Sequence, residues 1–205
     1  MSPDLDKEDE SPNLREVFYM NETISTLLSR RSIRNYTAEQ VSDENLKAIL
    51  EAAVYAPSAV NQQSWHFTVI QNKEVLDNMA ADLKDSFKKS NNPRFQQLGT
   101  NENFSPFHRA PTVIVISGDE KAVAPEADCA AAAQNILLAA ESLGLGACWV
   151  NMTIFLLNSE KGALWKKNLG IPEGYKPLYS ITLGNKGTAN PKAAPRKENS
   201  INYIK

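Results

Sequence analysis

Three guanidiniums and a hydroxyl crowd into five residues at Arg30, Arg31, Ser32, Ile33 and Arg34. A guanidinium is planar, always charged, and able to fork onto two phosphate oxygens. In an extended stretch alternate side chains share a face. Arg30, Ser32 and Arg34 are therefore expected to point one way and Arg31 the other. That arrangement suits a phosphate together with a second electron-rich group. The plainer alternative is a solvated basic turn.

A second block follows at 56–65, reading Ala-Pro-Ser-Ala-Val-Asn-Gln-Gln-Ser-Trp. Pro57 fixes its own φ and stops a helix. Ser58, Asn61, Gln62 and Gln63 then offer short polar groups, and amides both donate and accept. Such a set matches the alternating edge of a flat polar heterocycle. The alternative is a helix-to-strand turn whose Ser and Asn satisfy backbone groups. Trp65 is expected to pack in the core.

The remaining chemistry is sparser. Gly144, Gly146 and Ala147, ahead of Cys148 and Trp149, let backbone approach a ligand closely. They do not form a dinucleotide fingerprint, because the third glycine and the preceding strand are missing. Gly144 reads better as a helix cap, and Cys148 as a small buried hydrophobe rather than a nucleophile. Lys192, Arg196 and Lys197 are late cations able to close over an anion, though Lys192 reads better as a solvated tail residue. His66 and His108 read as structural or surface residues. Asp128 and Glu141 have no evident carboxylate partner. No nucleophile–base pair stands out, so hydrolase chemistry has no support.

The elements that must position these residues follow from periodicity. A helix is expected from about Asn21, with Ile24, Leu27 and Leu28 on one face. Another is expected from the Ser42 N-cap to a stop at Pro57. Residues 66–71 read as a strand, and Val75 to Phe87 mark an amphipathic helix. Residues 90–109 read as a long loop, either a lid or a surface connection with aromatic anchors. Residues 112–117 form a β-branched run typical of a strand buried on both faces. Residues 126–143 are Ala-rich and helical, ending at Gly144. That helix is expected deep in a core or, preferably, at a subunit interface. Short strands at 145–151 and 178–183 flank a helix at 160–169, and a polar basic arm runs from Gly184.

Composition sets the bounds. The 205 residues suffice for one domain, and a formal net charge of −2 provides no basic field for nucleic acid. No run reaches the roughly 20 apolar residues that span a bilayer. Residues 1–20 are acidic and read as a disordered leader, with the domain at 21–205. Without an apolar signal core, a cytoplasmic location is expected. Two cysteines and two histidines, scattered, make a disulfide framework or metal site unexpected.

The first two blocks together point to flavin mononucleotide (FMN). With Gly-Leu-Gly-Ala-Cys-Trp at 144–149 and Pro195-Arg196, they give a chain that resembles the FMN-dependent nitroreductase family from about Met20 onward. The resemblance implies an α+β fold, a central and mainly antiparallel sheet flanked by helices, in an intertwined homodimer. It implies two FMN sites at the dimer interface. Arg30, Arg31, Ser32 and Arg34 would contact the phosphate, ribityl chain and pyrimidine edge, with Arg196 and Lys197 at the phosphate. Pro57, Ser58, Ala59 and Asn61 would come from the partner subunit, and Gln63 would also contact the cofactor. Trp149, Val150 and Asn151 would lie along the flavin, partly through backbone groups. The implied reaction is ping-pong, from NADH or NADPH through FMN to a nitroaromatic, quinone or related acceptor. Arg34 would stabilise the reduced flavin. A specialised reductive dehalogenase, a flavin-consuming enzyme and a non-catalytic FMN-binding protein are the alternatives. Ser64 departs from the family, which often has Pro there, leaving the rigidity of the loop in question.

Overall fold

Helix starts in this chain are set by short polar side chains that accept otherwise orphaned backbone N–H groups. Asn21 Oδ1 accepts from Ile24 N–H (2.9 Å) and opens α1 (Glu22–Ser29). Ser42 Oγ accepts from Asn45 N–H (3.2 Å) and opens α2 (Asp43–Val54). Asn72 and Asn92 do the same for α3 (Lys73–Lys88) and α4 (Pro93–Thr100). The computed structural model describes residues 21–205; the expected acidic leader lies outside the described residues.

Four strands form one antiparallel sheet: β1 (Trp65–Ile70), β2 (Thr112–Asp119), β3 (Gly146–Val150) and β4 (Tyr175–Gly184), in the order β1-β2-β4-β3. Between β2 and β3 runs α5 (Pro125–Ser142), and between β3 and β4 run α6 (Met152–Leu157) and α7 (Gly162–Asn168). One sheet face carries Ile114, Ile116, Ile181 and Leu183, which join Ile49 and Ala53 of α2 and Ala132, Ala133 and Ile136 of α5 in one core. The other carries Val113 and Val115, in a second core with Met79 and Leu83 of α3, Leu156 and Trp165. Each fully buried branched side chain contributes about 1.5–3 kcal/mol. β2 is buried on both faces, as its unbroken β-branched run requires. Among the described residues no helix is long and apolar enough to cross a membrane.

One expectation needs correction, and one helix is added. Residues 90–109 are not a continuous loop, because they contain α4. Pro93 is the first helical residue, where a missing N–H costs nothing. The helix is docked tightly: a Cβ on Gly99 would lie 2.6 Å from Lys88 N and 2.7 Å from Lys84 O. Phe95 stacks on Phe87 at 4.7 Å, and Phe155 meets both rings edge-on. Helix α6 was not anticipated; six apolar or β-branched residues fit a strand as well as a helix turn. Helix α5 packs in a core through Cys129, Ala132, Ala133 and Ile136, one of the two settings expected for it. Its other side, with Asn135, Leu138 and Ala139, lines an open groove against α1.

Candidate functional site

Ser32 and Ile33 run alongside β3. Ser32 forms a parallel bridge with Ala147, and Ile33 N–H donates to Ala147 O (3.0 Å). Ile33 is buried and acts as the anchor. The close approach depends on Gly146, since a Cβ there would lie 2.8 Å from Ile33 Cγ2. Gly146 was expected to admit a ligand; what it admits is the chain's own isoleucine. Gly144 is the cap it was expected to be: at φ +74° it lets Leu145 N–H reach Ala140 O (2.8 Å) in a Schellman turn.

With Ile33 inward, its neighbours are directed. Arg34, Ser32 and Arg30 all act on the Cys148 thiol, whose own hydrogen bond goes to Trp149 O (3.6 Å). Burial pushes the thiol pKa up, and these groups only partly offset it. Cys148 thus remains a protonated filler beneath a cationic face. Arg31 turns the other way. Its guanidinium donates to Leu28 O and Arg30 O (2.7 Å each) and Pro191 O (3.2 Å), securing the start of the C-terminal arm. Tyr36 closes the segment: its hydroxyl donates to Ile33 O (2.6 Å) and lies 2.8 Å from Thr182 Oγ1. Burial raises the Tyr36 pKa, so it stays a neutral donor.

Arg34 also borders a cavity of about 330 Å³ with Asn35, Tyr36, Asn103, Ser105, His108 and Arg109. Residues 103–109 therefore belong beside the arginine segment, a conjunction that spacing alone did not reveal. His108 and Arg109 both adopt left-handed backbone, φ 53° and 55°. Burial first, and then the Arg34 charge, lower the His108 pKa and keep the imidazole neutral.

The second block is a tightly organised loop. Val60, Asn61 and Gln63 have φ of 44°, 56° and 48°. Non-glycine residues cost about 1–3 kcal/mol each in that region, and such strain gathers at functional sites. Ser58 Oγ accepts from Gln63 N–H (3.0 Å), and Gln63 Nε2 donates to Asn61 Oδ1 (3.2 Å). Ala59 N–H donates to Asp128 Oδ1 (2.9 Å) and Ser64 Oγ to Asp128 Oδ2 (2.7 Å). Pro57, Asn61 and Gln63 are exposed, while Ser58 and Ala59 are half-buried. Trp65 is in the core as expected.

Within one chain the groups do not all meet. Among the described residues no hydrogen bond or ion pair joins the loop at 57–63 to the segment at 30–36. Arg196 donates only to Ala194 O (3.4 Å), and Lys197 is exposed. Trp149 lies on the sheet face opposite Cys148, edge-on to Tyr179, with Nε1 donating to Asn151 Oδ1 (3.2 Å). Its indole thus points away from the arginine face. Val150 O accepts from Ser180 Oγ.

The sequence pattern of the Nitroreductase family matches residues 27–185, from the last turns of α1 to just past β4. The chain belongs to the nitroreductase family. Its structure is similar to that of a nitroreductase with bound FMN from Bacteroides fragilis, with a TM-score of 0.85 and 33% identity over 91% of this chain and 100% of that one. It is similar also to an FMN-bound nitroreductase from Desulfitobacterium hafniense, TM-score 0.83 and 33% identity over 91% and 100%. A curated relative, the NADPH-flavin oxidoreductase of Vibrio harveyi, is 29% identical over 86% of this chain and 70% of its own length. The expected nitroreductase fold thus agrees with the observed antiparallel sheet and its helices.

One further group in this member of the family ties distant segments together. Glu141, at the end of α5, accepts from Lys186 Nζ (2.9 Å), Asn190 Nδ2 (2.8 Å) and Ser29 Oγ (3.2 Å). It joins α1, α5 and the start of the arm next to Arg30. Burial alone would raise its pKa, but the Lys186 and Asn190 hydrogen bonds, the Lys186 charge and Ser29 together lower it. A depressed folded pKa means stability that is present above the unfolded value, about 4.3, and lost as pH falls through the lower folded value. Thermal midpoints from pH 7 to pH 3 are expected to drop along this limb, and Glu141→Gln to flatten the drop while lowering the pH 7 midpoint.

Proposed function

We propose that this protein is an FMN-dependent oxidoreductase that works as a homodimer, with each cofactor site shared between two copies. The observation that carries the reading is the single cationic face of Arg30, Ser32 and Arg34, leading to a polar cavity without a carboxylate, in a chain of this family. The donor set fits FMN. Two guanidiniums and a hydroxyl suit its phosphate and ribityl oxygens, and the Arg34 end suits an electron-rich pyrimidine edge. Bound there, FMN supplies two-electron chemistry, from NADH or NADPH to a nitroaromatic, quinone or related acceptor.

This chain's residues do the rest. Arg30 and Ser32 hold the phosphate, joined by Arg196 and Lys197 of the arm. Arg31 contributes by fixing the arm through Pro191 O rather than by direct contact. Arg34 supplies positive charge where negative charge grows on reduction. His108, kept neutral, serves as a hydrogen-bonding wall beside it. The loop at 57–63 of the second copy presents Ser58, Ala59 and Asn61, with Pro57 and Gln63 at its ends. The half-exposed faces of α1 and the exposed Ile201, Tyr203 and Ile204 of the arm supply the apolar surface that pairing of two copies would cover. Backbone of 149–151 lines the remaining side.

Donor and acceptor then occupy the same place in turn. Initial rates of NADH or NADPH oxidation at several fixed concentrations of a nitroaromatic are expected to give parallel double-reciprocal lines. Lines that converge would mean both substrates bind together, against the shared-place reading.

A further inference from the structure

Asp128 sits in the first turn of α5 and is only 3% exposed. Removing a carboxylate from water is unfavourable unless hydrogen bonds replace the lost hydration. Both its oxygens are engaged, and both donors lie in one loop: Ala59 N–H on Oδ1 and Ser64 Oγ on Oδ2. The positive end of α5 favours the charge. A third tie runs beside these two, from Val123 N–H to Gln62 Oε1 (2.8 Å). Were the position needed for packing alone, an apolar side chain would fill it without the desolvation cost. The two donors bracket Val60, Asn61 and Gln63, the three residues held in left-handed backbone. A free loop of these residues would leave that conformation, most readily at Val60, which is β-branched and 82% exposed.

We propose that Asp128 is a positioning residue for the cofactor site. Through Ala59 and Ser64 it holds the loop in the left-handed form that presents Ser58 and Asn61, without itself touching the cofactor. The inference rests on the FMN reading above. It also gives Ser64 a role: where a proline would stiffen the loop by its ring, this chain stiffens it by a hydroxyl on the second carboxylate oxygen.

The test compares FMN dissociation constants, by fluorescence titration at 20 °C, for the unaltered chain, Asp128→Asn, Asp128→Ala, and Asp128→Ala combined with Val60→Gly. In Asp128→Asn the amide oxygen still accepts from Ala59 and the amide nitrogen faces Ser64 Oγ, which becomes the acceptor, so affinity is expected within about threefold of the unaltered chain. Asp128→Ala orphans both loop donors and is expected to bind FMN about tenfold more weakly or worse. Glycine at 60 adopts left-handed backbone freely, so the double variant is expected to regain about threefold or more of that loss without regaining thermal midpoint. A lowered thermal midpoint with unchanged FMN affinity in Asp128→Ala would overturn the proposal. So would Asp128→Asn binding as weakly as Asp128→Ala, or no recovery in the double variant. If the unaltered chain takes up no FMN, the reading of the site itself fails, and the positioning role with it.

Discussion

Arg34→Ala is expected to weaken FMN binding by about 10- to 100-fold, the loss typical of a hydrogen bond to a charged group. It is also expected to make the potential of bound flavin more negative, by about 30 mV for each 1.4 kcal/mol of lost stabilisation of the reduced form. The Arg34 charge acts on the Cys148 thiol, and Arg34 also borders the cavity with Asn103 and His108. Burial, the larger cause of the lowered His108 pKa, persists in the variant, so the neighbouring imidazole does not replace the lost charge. Arg34→Lys keeps the charge but not the planar fork, and should fall between. Fluorescence titration and equilibration with a reference dye measure the two effects. Affinity and potential both unchanged in Arg34→Ala would remove Arg34 from the site.

Gly146→Val should do comparable damage from a position that touches no ligand. Its Cβ would lie 2.8 Å from Ile33 Cγ2, 3.0 Å from Ile33 Cβ and 3.1 Å from Lys186 Cγ. Ile33 has nowhere to retreat, being 2% exposed and tied by its N–H to Ala147 O. The segment must therefore lift off β3, carrying Ser32 and Arg34 with it. Overpacking of this kind costs about 1–3 kcal/mol in folding stability. The loss of FMN binding is expected to exceed what unfolding alone explains, because the folded fraction itself has a displaced cationic face. Urea unfolding and FMN titration on the same sample separate the two. Gly144→Ala is the contrast: at φ +74° it strains the helix cap, but a Cβ there meets nothing within 4 Å, so FMN affinity should hold.

The parts legible in the sequence are those decided locally. Ser42 announced α2 because an N-cap needs only a hydroxyl and a free N–H three residues on. The alternation of Arg30, Ser32 and Arg34 against Arg31 follows from extended backbone, and the structure has Arg31 turned toward Leu28 O and Pro191 O. What escaped depends on distant partners. Asp128 gains meaning only when Ala59 and Ser64, more than sixty residues earlier, fold against it. Gly146 was read for a ligand because nothing local tells that Ile33 would occupy the space. Asn103 and His108 reach Arg34 only through the docking of α4 on α3, and Pro93 looks the same at the first position of a helix as in a loop. The indole of Trp149 went to the opposite sheet face, because the strand's pleat sends neighbours apart: Cys148 faces the arginines and Trp149 faces Tyr179.

The measurement that bears most directly on the cofactor site is the absorbance spectrum of the purified protein supplied with FMN, taken anaerobically before and after NADH and then NADPH. Bound-flavin bands are expected to bleach on addition of one or both nicotinamides and to return when a nitroaromatic or quinone is added. Protein that retains no flavin at equimolar FMN, or retains flavin that neither nicotinamide bleaches, would contradict the FMN reading.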